Sequence, residues 1–570
     1  MLTYLIAELG RILASTRERM IIQIEQRTSS TLKQLDWLTD SDACSQYPFN
    51  ALDFPLDISN FNTEYIDIMP ESWALLSLSL SESRNELRVS RLRSGQTPFI
   101  ISIPLNRHSS RDPDDDAFGF DQGKAEMLDI VNLANYSTHD APDPSRKGAK
   151  TEWWEARAAL DVRLRDLLVD IEGIWFGGFR GIFSNDAHDS NLVLRFRESL
   201  HIILDRHLPS RQKATKGSLP DRVTLDIQVT GMFVALGNPN LANLDEEMTD
   251  LLYFVIDILQ FHGESNAYDE IDFDTITVEV LDALRQYHAA AEQKPRFTGP
   301  QHTILVLDKA LHCFPWESLP CLKTHAVSRV PSLAFLRDRI LQQQAQSSLI
   351  PTTKFLVNSS SGTYVLNPSG DLAATQSRFE DSLAALPHWD GIVAREPSET
   401  ELKSALSENE IFLYFGHGSG GQYIRPRTVK KLDRCAVALL MGCSSGTMTE
   451  AGMYESYGTP MNYMHAGCPA VVATLWDVTD KDIDRFSEAT LEKWGLFKQQ
   501  QQLEETSTSP VKRGSPVKRA RRRGEEPKVA TSDTKAMSLD QAVAQSRDMC
   551  IMKYLNGAAP VVYGIPVFLS

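Results

Sequence analysis

Two residues in this sequence have the types and surroundings of a nucleophile and its base. Cys443 lies in MGCSSG (Met441 to Gly446) and His417 in FGHGSGG (Phe415 to Gly421), 26 residues apart. A cysteine thiolate attacks a carbonyl carbon, and a neighbouring imidazole lowers the thiol pKa and later protonates the leaving amine. Glycines flank both residues; they permit tight turns and let a substrate backbone come close. The backbone N–H groups around Gly418, Gly442 and Cys443 are candidates for an oxyanion hole. Cys313, Cys321, Cys435, Cys468 and Cys550 lack such surroundings and read as structural.

A third segment supplies acid. After the apolar run Ala470–Leu475 the chain reads Trp476-Asp-Val-Thr-Asp480-Lys-Asp-Ile-Asp484. Thr479 or Asp480 is a good helix N-cap, and Asp480 and Asp484 fall on one helical face. Capping and dipole complementation would account for Asp477 or Asp480 alone. The functional alternative is an acidic pocket that grips an arginine guanidinium in a bidentate fork, with Asp484 and Asp480 preferred and Asp477 as a third candidate. Other chemistries fit less well. Neither His417 nor Cys443 has metal ligands at short fixed spacing, so no metal or cofactor is expected. No GxxxxGK[ST] phosphate loop is present, and Ser444 and Ser445 lack the GxSxG elbow of a serine nucleophile.

Positioning these groups requires a sheet. Short apolar runs alternate with helical stretches from about residue 300: Thr303–Leu307, Thr363–Leu366, Glu410–Phe415, Ala436–Met441 and Ala470–Leu475, with helical connectors such as Glu399–Leu406. Such runs are strands buried on both faces, so this half is an α/β domain with a mostly parallel sheet flanked by helices. His417 and Cys443 then sit past strand carboxyl ends, where α/β folds keep their sites. A helix over Leu539–Leu555 and a closing strand within Pro560–Leu569 complete the half. The first 295 residues read as a mainly helical support domain, with helices over Thr151–Glu172, Leu192–Leu208, Leu244–His262 and Phe273–Ala291. The second domain runs over 296–570.

Two insertions interrupt this plan. Residues 107–150, with the acidic run Asp112 to Asp116, read as a long mobile surface insertion. Residues 498–535 are polar, basic and disordered in character; Ser509 and Ser515 each precede Pro-Val-Lys. That stretch is a solvated loop, a nuclear-import patch or a phosphorylation switch. The 42% hydrophobic and 23% charged content fit a soluble globular protein, and a net charge of −17 argues against nucleic acid as the main ligand. Seven scattered cysteines without a CxxC pair indicate a reducing compartment. No apolar run is long enough to span a membrane, and the helix expected over Met1–Met20 carries too many charges for a signal peptide.

The residues around His417 and Cys443, with AGCPAVVATLWDVTDKDIDRF from Ala466, resemble separase, a caspase-related clan-CD cysteine protease. LHCFPWESLPCL and VSRVPSL, YVLNPSGDL from Tyr364, and GAAPVVYGIPV near the end support the likeness. It is specific over about 295–570; IEGIWFGGFRG (Ile171 to Gly181) is the clearest echo in the helical half. The resemblance implies a caspase-like fold and cleavage after Arg in ExxR-type sites of the cohesin kleisin subunit, triggering sister-chromatid separation in mitosis and meiosis. It implies His417 and Cys443 as the catalytic dyad, acting through a thioester acyl-enzyme, and securin as a pseudosubstrate inhibitor. It also implies a C-terminal fragment, partnered by an N-terminal helical region of the same protein, acting in nucleus and cytoplasm on chromosomes and spindle. The loop at 498–535 holds no ExxR, so no self-cleavage site is expected there. Two other readings remain: a catalytically silent module that binds securin or a client, and a caspase-fold protease of different specificity.

Overall fold

The structure, a computed structural model, describes residues 61–107, 118–139, 148–185, 188–212, 222–293, 301–346, 354–452, 454–497 and 537–570. The helix expected at Met1–Met20 and the basic stretch 498–535, with Ser509 and Ser515, lie outside them.

An eleven-stranded sheet carries the fold, in the order β3-β2-β1-β4-β5-β14-β13-β10-β9-β7-β8. In chain order its strands are β1 (Trp73–Leu80), β2 (Glu86–Leu92), β3 (Phe99–Pro104), β4 (His302–Leu307), β5 (Ala326–Arg329), β7 (Gly362–Leu366), β8 (Trp389–Val393), β9 (Ile411–Phe415), β10 (Val437–Leu440), β13 (Ala470–Thr474) and β14 (Pro560–Gly564). Two small sheets pair β6 (Phe355–Val357) with β15 (Val567–Leu569) and β11 (Met448–Ala451) with β12 (Tyr454–Gly458). The run from β13 through β10, β9 and β7 to β8 is parallel throughout, and so is β1-β4-β5-β14. β14 runs antiparallel to β13 where these halves meet. Every residue of β9, β10 and β13 is buried, which explains their unbroken apolar character.

Among the described residues the longer helices are α1 (Phe120–His139), α2 (Ala149–Asp170), α3 (Ser190–His207), α4 (Ile227–Ala235), α5 (Asp245–Phe261), α6 (Phe273–Glu292), α7 (Leu333–Gln346), α8 (Ala373–Ala384), α9 (Glu399–Glu408), α10 (Thr459–His465), α11 (Asp480–Trp494) and α12 (Leu539–Ser546). The mostly parallel sheet with flanking helices is the caspase-like α/β architecture expected. Helices α2, α3, α5 and α6 fall where the apolar periodicity put them. The buried side chains of helices and sheet form one continuous core.

Four expectations need correction. The stretch 107–150 is not a surface insertion throughout, because α1 occupies its middle. Phe120, Met127, Ile130 and Ala134 recur at helical spacing and are fully or almost fully buried. The first half also supplies β1–β3, which extend the sheet through the parallel pairing of β1 with β4. Serines interleaved in WALLSLSL mask β1 as a strand. Pro560–Leu569 is two strands, and β14 lies in the sheet's interior between β5 and β13. The helix expected to reach Leu555 stops at Ser546, followed by a 3-10 turn over Arg547–Met549.

Candidate active site

The register of the sheet sets the site. Val437 stands opposite Ile411 and Leu440 opposite Tyr414, an offset of 26 residues that equals the spacing of Cys443 from His417. Two residues separated by the register offset of neighbouring parallel strands leave the sheet side by side. His417 and Cys443 accordingly line one cleft of about 360 Å³, together with Leu372, Thr375, Asp480 and Asp484.

The two strand-tip loops are packed tightly. A Cβ on Gly442 would stand 2.0 Å from Gly418 O and 2.4 Å from Gly416 O, so only glycine lets the cysteine loop pass under the histidine loop. Gly418 itself has φ +60. Of the two oxyanion candidates, Gly442 lines the cleft and Gly418 lies against it from the facing loop.

Ser444, directly after Cys443, has φ +52, a left-handed conformation that is strained for a residue with a side chain. β13 holds it there. Ser444 N–H donates to Trp476 O at 3.3 Å and its hydroxyl to Asp477 Oδ1 at 2.5 Å. Thr474 Oγ1 donates to Gly442 O at 2.7 Å, and Gly446 N–H to Thr474 O at 2.7 Å. The sharp turn thus presents Cys443 at the strand tip while its neighbours are stapled to the next strand.

Cys443 Sγ donates to Val478 O at 3.3 Å; among the described residues it has no hydrogen bond to His417. Burial pushes the Cys443 thiol up to about 11, with Asp477 and Asp480 adding to the push and Arg157 opposing it. The lowering of the thiol pKa expected from a neighbouring imidazole is not seen in this geometry, where desolvation of the thiolate dominates. His417 Nε2 instead lies 2.9 Å from Asp371 Oδ2, both side chains about half exposed.

The three acidic candidates separate. Asp484 is buried in the cleft wall and accepts from Thr375 Oγ1 at 2.9 Å. Burial, reinforced by Asp480, pushes its carboxyl up to about 6. Asp480 opens α11 at the mouth of the cleft, exposed. Asp477 is buried away from the cleft, where it receives the Ser444 hydroxyl. It braces the turn that follows Cys443.

Four further residues were missed in the sequence. Asp371 and Thr375 enter from the loop and helix after β7. Asn135 on α1 accepts the Asp477 N–H at 3.0 Å. Arg157 on α2, wholly buried, donates to Ser137 Oγ (2.7 Å), Thr138 Oγ1 (3.0 Å) and Asn556 Oδ1 (3.1 Å). Asn556 in turn donates to Thr479 Oγ1 and Asp482 Oδ2. The helical half thereby grips the segment that walls the cleft. Asp371 sits just past a strand end, a position that marked His417 and Cys443; Asn135 and Arg157 act over separations in sequence that leave no local signal.

Comparison with known proteins gives a consistent result. Residues 82–483 match the family model described as the separin protease domain. The separin of Emericella nidulans is 49% identical over 566 residues, covering 99% of this chain and 25% of that protein. The separin of Schizosaccharomyces pombe is 39% identical, covering 90% of this chain and 26% of that protein. The chain thus spans about a quarter of the length of these curated relatives. A crystal structure of the Saccharomyces cerevisiae separase–securin complex superposes with a TM-score of 0.74 at 31% identity, covering 90% of this chain and 31% of that one. With the family model matched across most of its length and near-half identity sustained end to end, the chain belongs to the separin (separase) protease family.

Proposed function

We propose that this chain is the protease part of a separase: a cysteine endopeptidase that cuts after Arg in ExxR-like sites of the cohesin kleisin subunit. The observation that carries the reading is the shared offset of 26, which sets His417 beside Cys443 above a buried acidic wall. In the reaction, Cys443 Sγ attacks the scissile carbonyl carbon and its proton passes to His417. The tetrahedral oxyanion is held by backbone N–H groups of the Gly418 and Gly442 loops. The C–N bond breaks as His417 protonates the departing amine, leaving a thioester; water then hydrolyses it, releasing the carboxylate product and restoring the thiol. Asp484, with Asp480 at the mouth, receives the arginine guanidinium of the residue before the cut. Asp477 has no part in that pocket.

Securin is the proposed inhibitor, lying in the same cleft as a pseudosubstrate; that the similar yeast structure is a separase–securin complex supports it. The place of action follows from that substrate: chromosomes at anaphase, in nucleus or cytoplasm. The test is covalent labelling of Cys443 by an arginyl acyloxymethyl-ketone peptide. Labelling is expected in the unaltered chain and lost in Cys443→Ser and His417→Ala. Equal labelling without His417, or no preference for arginine over norleucine, would overturn the reading.

A further inference from the structure

The loop after β7 brings to the cleft a carboxylate that the Cys–His reading leaves unused. β7 pairs with β9 in parallel, Leu366 opposite Phe415, so the residues after each strand emerge together. The β7 loop is braced at its start by Asn367, which holds the left-handed conformation with φ +51. Asn367 N–H donates to Phe415 O at 2.9 Å, tying the loop to the strand that ends at His417. Its side-chain Oδ1 accepts the Leu372 N–H at 2.8 Å, and its Nδ2 donates to Gln376 Oε1 at 2.9 Å. These bonds close the segment 367–372 on itself, with Asp371 at its end. Asp371 Oδ2 then lies 2.9 Å from His417 Nε2.

We propose that Asp371 is the positioning residue for His417, holding Nε2 so that Nδ1 is the nitrogen that exchanges the proton with Cys443. The inference rests on the proteolytic reading above and adds a residue to it. A neutral imidazole carries one proton and can place it on either nitrogen; a carboxylate at Nε2 selects the Nε2–H tautomer and leaves the Nδ1 lone pair free. When Nδ1 takes the thiol proton the ring becomes a cation, and the carboxylate stabilises it in place without itself being protonated. The demand for such help is high here, because desolvation holds the Cys443 thiol well above its ordinary value. Of the charged groups around the ring, Asp371 touches it and Asp480 from α11 acts on it through space, while Arg157 acts on the Cys443 thiol. The remaining contacts of this loop are neutral: Tyr414 Oη and Gln422 Nε2 both donate to His417 O.

Both Asp371 and His417 are about half exposed, so the pair adds little to stability. Variants at Asp371 should therefore fold, and the effect belongs in turnover. The experiment compares Asp371→Ala, Asp371→Asn and Asp371→Glu with the unaltered chain on an arginyl peptide, reading kcat and KM separately. Ala and Asn should lower kcat about 100-fold with KM changed less than about threefold, the size typical of lost acid–base assistance. Glu should recover part of kcat. A kcat within twofold of the unaltered chain in Asp371→Ala overturns the proposal, as does a loss confined to KM, which would make Asp371 a substrate contact. If the unaltered chain itself turns over no arginyl peptide, the proteolytic reading fails and takes this one with it; the two failures are told apart by that control.

Discussion

If Asp484 receives an arginine side chain as proposed, specificity is tied to pH in a way that can be measured without turnover. Asp484 is 5% exposed, and its carboxyl is raised from 3.8 to about 6 by burial and by Asp480, with the Thr375 hydroxyl pulling the other way. About two units at ~1.4 kcal/mol each mean that ionising it in these surroundings costs ~3 kcal/mol. A bound guanidinium removes that cost, so an arginyl peptide must displace a proton when it binds below pH 6. On the Cys443→Ser background, calorimetry of an arginine-ended ExxR peptide should show Kd weakening about tenfold from pH 7 to pH 5. The same peptide ending in citrulline should bind weakly and without that slope. Identical slopes for the two peptides, or a flat Kd for the arginine one, would refute the assignment of Asp484 to the pocket. The stability consequence has a definite sign. A carboxyl raised in the folded state contributes stability below its unfolded value of 3.8, and that contribution is lost as pH rises through about 6. Asp484→Asn should therefore stabilise the unliganded chain by up to ~3 kcal/mol above pH 6, the gain vanishing below pH 4, in urea unfolding.

Three other perturbations probe the frame around His417 and Cys443. Gly442→Ala sets a methyl into Gly418 O and Gly416 O; overpacking of about 1–3 kcal/mol should separate the loops and abolish turnover, while far-ultraviolet circular dichroism stays unchanged. Arg157→Met leaves the Asn556 amide, the Ala134 carbonyl and two hydroxyls on α1 without their buried donor, at a cost of about 2–4 kcal/mol. Limited proteolysis should then cut first between the helical half and the cleft wall. Alkylation of Cys443 by iodoacetamide in the unliganded chain should keep accelerating past pH 9, because the thiol is raised to about 11; a plateau between pH 5 and 7 would show a resting ion pair with His417 instead.

How far the sequence led depends on how local each signal is. The strands β4, β7, β9, β10 and β13 were legible because burial on both faces demands a continuous apolar run, which no neighbour can disguise. β1 was not, since serines at Ser77 and Ser79 break its run although Ser77 is buried. Helix α1 was hidden by the acidic residues before it, which drew the whole stretch into one polar reading. Within the cleft, Asp484 and Asp480 were legible from a four-residue spacing on one helix, whereas Asp477 shares their charge and turns the other way to meet Ser444. Arg157 and Asn556 lie 399 residues apart, a distance over which only the assembled fold pairs them.

The spacing of His417 and Cys443 had a meaning that sequence alone could not decode. Twenty-six residues is an arbitrary interval until the strands are paired, at which point it becomes the register itself. The same logic extends across the sheet: Ala438 faces Val471, an offset of 33, and Ser444 meets Asp477 at that offset too. A one-residue slip of β10 against β9 and β13 would turn Cys443 away from the cleft and break the Ser444–Asp477 bond together. Inserting a single alanine between Leu440 and Gly442 should therefore remove Cys443 labelling completely while leaving the buried strands able to pair. An insertion variant that still labels would show that the loops, and not the register, bring His417 and Cys443 together. The chemistry at the strand tips is in that sense a property of the sheet, whose apolar side chains fix the register far more firmly than the glycine loops could.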